Sequence, residues 1–242
     1  EWLKKKKFHY FVHFAAITSK RKKNYNKIHL VNKILPIKII KLFQKSFKKE
    51  FRYFLFISTS HVYGFHKKKI SEYDKRKPFN KYGRTKKAVE DFILNQKNKF
   101  YFKIGIARIF NFTSDKQNKG HFIPDVYAKI KNKENLINFN KNRHFIHIDD
   151  VARSLELMIR KRKDKALNIC SGNKINLVSL TRKLNFISLN KKLIFINSRK
   201  KINQDIYGNN SLLKKLGMKK FKNLNIILNS FLYGKKANIN NR

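Results

Sequence analysis

Three nearly continuous apolar runs, each followed by a stretch with helical periodicity, most constrain how this chain can fold. The runs are Phe8–Phe14 (FHYFVHF), Phe51–Ser58 and Phe100–Phe110 (FYFKIGIARIF). Strands that read as unbroken apolar runs, rather than alternating ones, are buried on both faces. Between them lie a segment opened by Asn32 with apolar residues at Ile34, Leu35, Ile39, Ile40, Leu42 and Phe43, and a segment from Gly83 to about Asn95 with Ala88, Val89, Phe92 and Ile93 on one side. Pro36 falls in the first turn of the earlier helix, where proline is tolerated. Alternating strands and helices of this kind predict a parallel sheet covered on both faces. Ligands of such sheets sit outside the carboxyl ends of the strands. Ala15-Ala16, Ser58-Thr59-Ser60 and Phe110-Asn111 all fall at those ends, so one crevice can contain them.

Further on, Val126–Ile130 reads as a helix, Arg143–Ile148 as a strand and Val151–Ile159 as a helix, with Asp149-Asp150 capping its start. Leu167–Cys170 reads as a short strand, Leu177–Leu184 as a helix, Lys192–Ile196 as a strand and Ser211–Leu216 as a short helix ending at Gly217. The residues from Lys235 read as a disordered tail. His13 and His147, inside apolar runs, are expected to be core histidines with satisfied nitrogens; for His61, exposure and substrate contact stay equally open.

The 242 residues suffice for a sizeable core, and 41% hydrophobic content marks a globular chain. The single Cys170 excludes an internal disulfide framework and a cysteine-based metal site, and fits a reducing compartment. No segment has the apolar length of a membrane span, and Glu1-Trp2-Leu3 before a lysine run is not a signal peptide, so the cytoplasm is the expected location. Lys+Arg number 59 against 14 Asp+Glu, a formal net charge of +45. The lysines are spread along the chain together with abundant Asn, Ile, Phe and Tyr, which fits an AT-biased genome better than a basic stripe for nucleic acid. Non-specific polyanion binding and self-repulsion are still expected, without specific nucleic-acid recognition. In such a chain the few remaining acids are informative.

One constellation carries chemistry. Tyr82 and Lys86 are four residues apart, so they share one face of a helix. An ammonium fixed beside a phenol favours its ionised form, and a strand-end hydroxyl nearby can share a substrate oxygen with it. This arrangement suits moving a proton on and off an alcohol or carbonyl. No His/Asp/Glu cluster has metal-ligand spacing.

The order of motifs resembles the extended short-chain dehydrogenase/reductase superfamily, the NAD-dependent epimerases and dehydratases of nucleotide-sugars. The matching stretches are VHFAA (Val12–Ala16), ISTSHVYG (Ile57–Gly64), YGRTK (Tyr82–Lys86), ARIFN (Ala107–Asn111), RHFIHIDDVA (Arg143–Ala152) and LNICSG (Leu167–Gly172), with DIYGNNSLLKKLG (Asp205–Gly217) weaker. They are collinear over nearly the whole chain. The resemblance implies a partial Rossmann-like doubly wound parallel α/β sheet, its first strands missing, with a smaller C-terminal substrate-binding α/β lobe. The expected division is 1–111 for the dinucleotide-binding part and 112–234 for the substrate-binding region, in which 143–170 returns to the sheet, with 235–242 as the tail.

The resemblance also implies roles. Tyr82 is the expected acid/base, Lys86 the residue that lowers its pKa and holds the nicotinamide ribose, and Thr59 the hydroxyl that orients the sugar oxygen. Ala15, Ala16, Asn32, Ser58 and Phe110, with Tyr82 and Lys86, match positions lining the cofactor, NAD, with NADP left open. Thr59, Asn111 and Arg143 match substrate positions, and Arg199 is a looser candidate for the diphosphate. A nucleotide-sugar substrate and a homodimer through the helices at 33–47 and 83–97 are implied in the same way.

Two departures stand out. The family's opening strand and Gly-x-x-Gly-x-x-Gly turn are not found, which leaves the expected sheet with an uncovered edge and the chain as a fragment or a truncated gene product. After Thr59 come Ser60 and His61 instead of the Asp-Glu pair of the dehydratases, which favours epimerase or reductase chemistry. A second reading keeps the fold without catalysis and assigns the charge to binding RNA or another polyanion.

Overall fold

The computed structural model describes residues 8–18, 25–46, 51–66, 68–117, 120–138, 141–197 and 205–240. A parallel sheet forms the centre. Its strands are β1 (Tyr10–His13), β2 (Tyr53–Thr59), β3 (Lys103–Ile109) and β4 (Ala166–Ile169), side by side in that order. The register places Leu55 between Val12 and Gly105. All of β2 is buried, as the unbroken apolar run requires. Among the described residues β1 pairs with β2 alone, so its outer edge carries no further strand.

Alternate residues of the strands feed two cores. Phe54, Phe56 and Ile106 face one way, against Ile40 and Phe43 of α1 (Leu35–Ser46) and Val89 and Ile93 of α2 (Lys81–Asn95). Leu55, Ile57 and Ala107 face the other way. There they meet Val151, Leu155 and Met158 of the helix Ile148–Arg160 and Leu213 of the helix Ser211–Leu216. Helices on both faces of a parallel sheet give the Rossmann-like α/β arrangement expected from the sequence. At Gly105 an added Cβ would lie 2.0 Å from the Tyr53 hydroxyl, which donates to the Lys163 carbonyl at 3.0 Å.

The entry to α1 is irregular. Tyr25–His29 is helical, and a π-helical turn covers Leu30–Ile34 just before Pro36. Proline has no N–H to donate to the carbonyl four residues back, and the wider turn absorbs that break. Asn32 is fully buried on this turn; its amide donates to the Ile17 carbonyl and accepts from the Ile17 N–H, both at 2.8 Å, which fixes the loop after β1.

A third core lies outside the sheet. Ile123, Val126 and Ile130 of α3 (Phe122–Lys131) pack with Leu180 and Leu184 of the helix Leu177–Ser188 and with Leu228 and Phe231. Leu136–Asn138 pairs in parallel with Phe195–Asn197 beside them. The expected strand Arg143–Ile148 is instead two short pieces, Asn142–Arg143 and Ile146–His147.

Other expectations are corrected. The helix Leu224–Asn240 runs through the segment read as a tail from Lys235. Asp149-Asp150 does not cap its helix: His147 does, its Nδ1 accepting from the Asp149 N–H at 3.2 Å, while fully buried Asp150 accepts from the Lys222 N–H at 2.7 Å. His147 is satisfied, as expected, through Ser230. His13 is not: it is buried, and among the described residues neither ring nitrogen has a partner. No described helix is long and apolar enough to cross a membrane.

Candidate active site

The carboxyl ends of β2 and β3 open into a cleft of about 720 Å³. Its wall includes Ser58, Thr59, Ser60 and His61 from the end of β2 and Tyr82 from the first turn of α2. Phe110 and Asn111 follow β3, and Lys141 and Arg143 come from the other side. Among the described residues the lining contains no Asp or Glu, so the cleft presents positive charge with hydroxyls and a phenol.

Local structure explains the placement. Chain polarity puts the strand-end hydroxyls at the carboxyl edge, and Thr59 leads into a single 3₁₀ turn, Ser60–Val62, with its Oγ accepting from the His61 N–H at 3.3 Å. Asn80 caps α2, its Oδ1 accepting from the Gly83 N–H at 2.7 Å. Gly83 sits against that 3₁₀ turn so closely that an added Cβ would lie 2.5 Å from the His61 carbonyl oxygen. The cap and this close approach bring Tyr82 beside Thr59.

The Thr59 hydroxyl and the Tyr82 phenol line this cleft together. Burial raises the pKa of that phenol, and Thr59 is the influence pulling it down. The expected lowering by Lys86 is not met. The Lys86 ammonium turns away, donating to the Ile57 carbonyl at 2.8 Å and lying 4.7 Å from the centre of the Phe56 ring. Burial, opposed by Glu90, brings that ammonium down to about 8.

Of the residues expected at the cofactor, Ser58 and Phe110 line the cleft with Tyr82. Ala15 and Ala16 are exposed at the end of β1 and do not line it, and Asn32 is committed to Ile17. Of the substrate candidates, Thr59, Asn111 and Arg143 share the cleft, whereas Arg199 lies outside the described residues. Sequence reasoning missed Lys141, Gln117 and His121, which line the far wall. It also missed Glu90 and Arg108, buried behind the site, although the rarity of acids was the signal that could have marked Glu90.

A parallel sheet covered by helices on both faces, with a cationic cleft at its strand ends, defines a Rossmann-like α/β protein. The chain belongs to the NAD dependent epimerase/dehydratase family, whose family model matches residues 1–170. Solved structures share the fold. A protein named RMD from Pseudomonas aeruginosa, complexed with NADPH, is 19% identical with a TM-score of 0.84 over 97% of this chain and 83% of its own. A UDP-glucuronic acid 4-epimerase from Bacillus cereus, in complex with UDP-glucuronic acid and NAD, is 21% identical with a TM-score of 0.78 over 93% of this chain and 76% of its own. A UDP-N-acetylglucosamine 4-epimerase from Methanobrevibacter ruminantium, in complex with UDP-N-acetylmuramic acid, is 17% identical with a TM-score of 0.80 over 97% and 77%. No curated protein matches the chain by sequence.

Proposed function

We propose that the chain is an NAD(P)-dependent epimerase or reductase of a nucleotide-sugar. The observation that carries this is that the Thr59 hydroxyl and the Tyr82 phenol line one cleft with Lys141 and Arg143 and, among the described residues, with no carboxylate. Tyr82, as the phenolate, takes the proton of a sugar hydroxyl and, as the phenol so formed, returns it, and Thr59 holds the oxygen in line. Arg143 and Lys141 supply charge for a diphosphate. Asn111 contacts the sugar side of the same wall. The residues present fit the nicotinamide half of the cofactor: Ser58 and Phe110 line the cleft beside Tyr82, with Lys86 buried behind them. When bound, NAD(P) supplies the hydride acceptor and donor that proton transfer alone lacks. The outer faces of α1 and α2, where Leu35 and Leu94 are exposed, are the proposed homodimer contact.

Tyr82→Phe tests the reading. With UDP-glucuronic acid and NAD as probes, turnover should fall by about 10²- to 10⁴-fold while quenching of NADH fluorescence on binding persists. Unchanged turnover would reject Tyr82 as the acid/base.

A further inference from the structure

His61 is the residue of the cleft whose protonation is fixed by the fold. The Asn80 amide has its orientation set at one end, because Oδ1 accepts from the Gly83 N–H at 2.7 Å as the cap of α2. Its Nδ2 therefore faces His61, 2.8 Å from Nδ1. An amide nitrogen can only donate, so Nδ1 must accept, and in the neutral ring the proton sits on Nε2. Burial holds the ring below the ordinary histidine value, which keeps it neutral near pH 7. The ring is also fixed in place, stacked on Phe79 with centroids 5.5 Å apart and edge-on to Tyr82 at 5.9 Å. Among the described residues, Nε2 has no hydrogen-bond partner, and His61 lines the cleft with Thr59 and Tyr82. A fixed N–H beside the phenol, with its own acceptor missing, is a site for an oxygen of whatever binds there.

We infer that His61 is a specificity-determining residue, donating a hydrogen bond from Nε2 to an oxygen on the sugar of a nucleotide-sugar seated against Tyr82. This rests on the nucleotide-sugar reading above. It assigns His61 neither a proton-transfer step nor the diphosphate. The helix cap thus acts at a distance: the same Asn80 that starts α2 selects which nitrogen of the ring faces substrate.

Calorimetric titration of UDP, UDP-glucose and UDP-glucuronic acid tests it. His61→Ala should weaken both UDP-sugars by about tenfold, the loss of one hydrogen bond, and leave UDP unchanged. His61→Gln, which keeps a side-chain N–H donor, should recover most of the loss. Equal weakening of UDP, or UDP-sugars bound as tightly by His61→Ala as by the wild type, would overturn the inference and leave the nucleotide-sugar reading standing. Failure of the wild type to bind any of the three would overturn both. Nitrogen-15 NMR of the wild type reads the ring directly: the Nε2–H tautomer is expected, and Nδ1–H would refute the assignment without any ligand. In Asn80→Asp, the carboxylate still caps α2 but can only accept, so the proton should move to Nδ1; a ring still protonated on Nε2 alone would show that residue 80 does not set it.

Discussion

The Ser58 hydroxyl donates to Glu90 Oε1 at 2.5 Å, tying the strand end that carries Thr59 to the helix that carries Tyr82 and Lys86. Glu90 lies one turn beyond Lys86, on the same face of α2, and is fully buried. Arg108 of β3 grips it, with Nε at 3.1 Å from both oxygens and Nη2 at 2.7 Å, and Arg76 adds a contact at 3.0 Å. Arg108 also donates to the Tyr63 hydroxyl at 2.6 Å, which donates to Asn168 at 2.7 Å. One carboxylate thus joins β2, β3 and α2 behind the cleft, and through Arg108 and Tyr63 the same network reaches Asn168 of β4.

Glu90→Gln should therefore be costly. It leaves the Arg108 guanidinium buried without its counter-charge, a loss on the order of 3–5 kcal/mol. Urea denaturation of the variant should show the midpoint falling in proportion; a loss below about 1 kcal/mol would mean that Arg108 finds another acceptor. The same change removes the influence that opposes burial at Lys86, so the ammonium should titrate lower than its present value of about 8.

His13 predicts the opposite sign. Burial, reinforced by Lys86, lowers its pKa to about 4, and neither nitrogen is paired among the described residues. A depressed histidine is protonated first in the unfolded chain. Stability is therefore fully present above about pH 6.5 and falls by about 3 kcal/mol as pH drops toward 4. His13→Leu should flatten that acid limb and, by removing unpaired nitrogens from a site beside Phe54 and Phe56, leave the protein at least as stable at pH 7. Thermal melts between pH 4 and 7 check both; an unchanged acid limb would rule His13 out as its source.

What the sequence disclosed follows from which signals are local. The β2 run is apolar because both its faces are covered, and its hydroxyls fall at the carboxyl end because a parallel sheet has one polarity, so Ser58-Thr59-Ser60 and Phe110-Asn111 could be placed in a single crevice, whereas Ala15-Ala16, put there by the same argument, do not line it. The spacing of Tyr82 and Lys86 correctly put them on one helix face, but spacing says nothing of rotamer, and the ammonium went to the Ile57 carbonyl. The buried ion pair of Glu90 with Arg108 joins residues 18 apart, and no periodicity reports it. Lys141 reaches the cleft from the irregular segment before Asn142–Arg143, where no pattern fixes direction.

Lys86 gives a basic limb. Its folded value of about 8 lies below the ordinary 10.5, so the unfolded chain holds the proton longer and stability rises with pH between those values, by about 3 kcal/mol for this group. Relief of repulsion among the other lysines adds in the same direction, since the chain carries +45 at neutral pH. The difference between wild type and Lys86→Met isolates the buried group. Between pH 8 and 10.5 the variant should show the shallower rise, read from denaturant midpoints, and parallel curves would refute a buried, depressed ammonium.

Gly83 offers a test in which two effects compete. Alanine in place of glycine within a helix is favoured by about 1 kcal/mol on propensity alone. At this position the new Cβ would meet the His61 carbonyl oxygen at 2.5 Å and its carbon at 3.0 Å, both backbone atoms, with the Pro78 Cβ at 3.0 Å as well. Backbone cannot rotate aside, so α2 or the 3₁₀ turn must move, and overpacking of this kind costs about 1–3 kcal/mol. Gly83→Ala should accordingly be destabilising, and because the displaced elements carry Tyr82 and Thr59 it should also disturb their relative placement in the cleft and slow turnover. Arg84→Ala, next along the same helix on its exposed face, serves as the control and should change stability by less than about 0.5 kcal/mol. If Gly83→Ala instead raised the melting temperature, propensity would have won, and the tight seating of α2 on the His61 turn would be wrong.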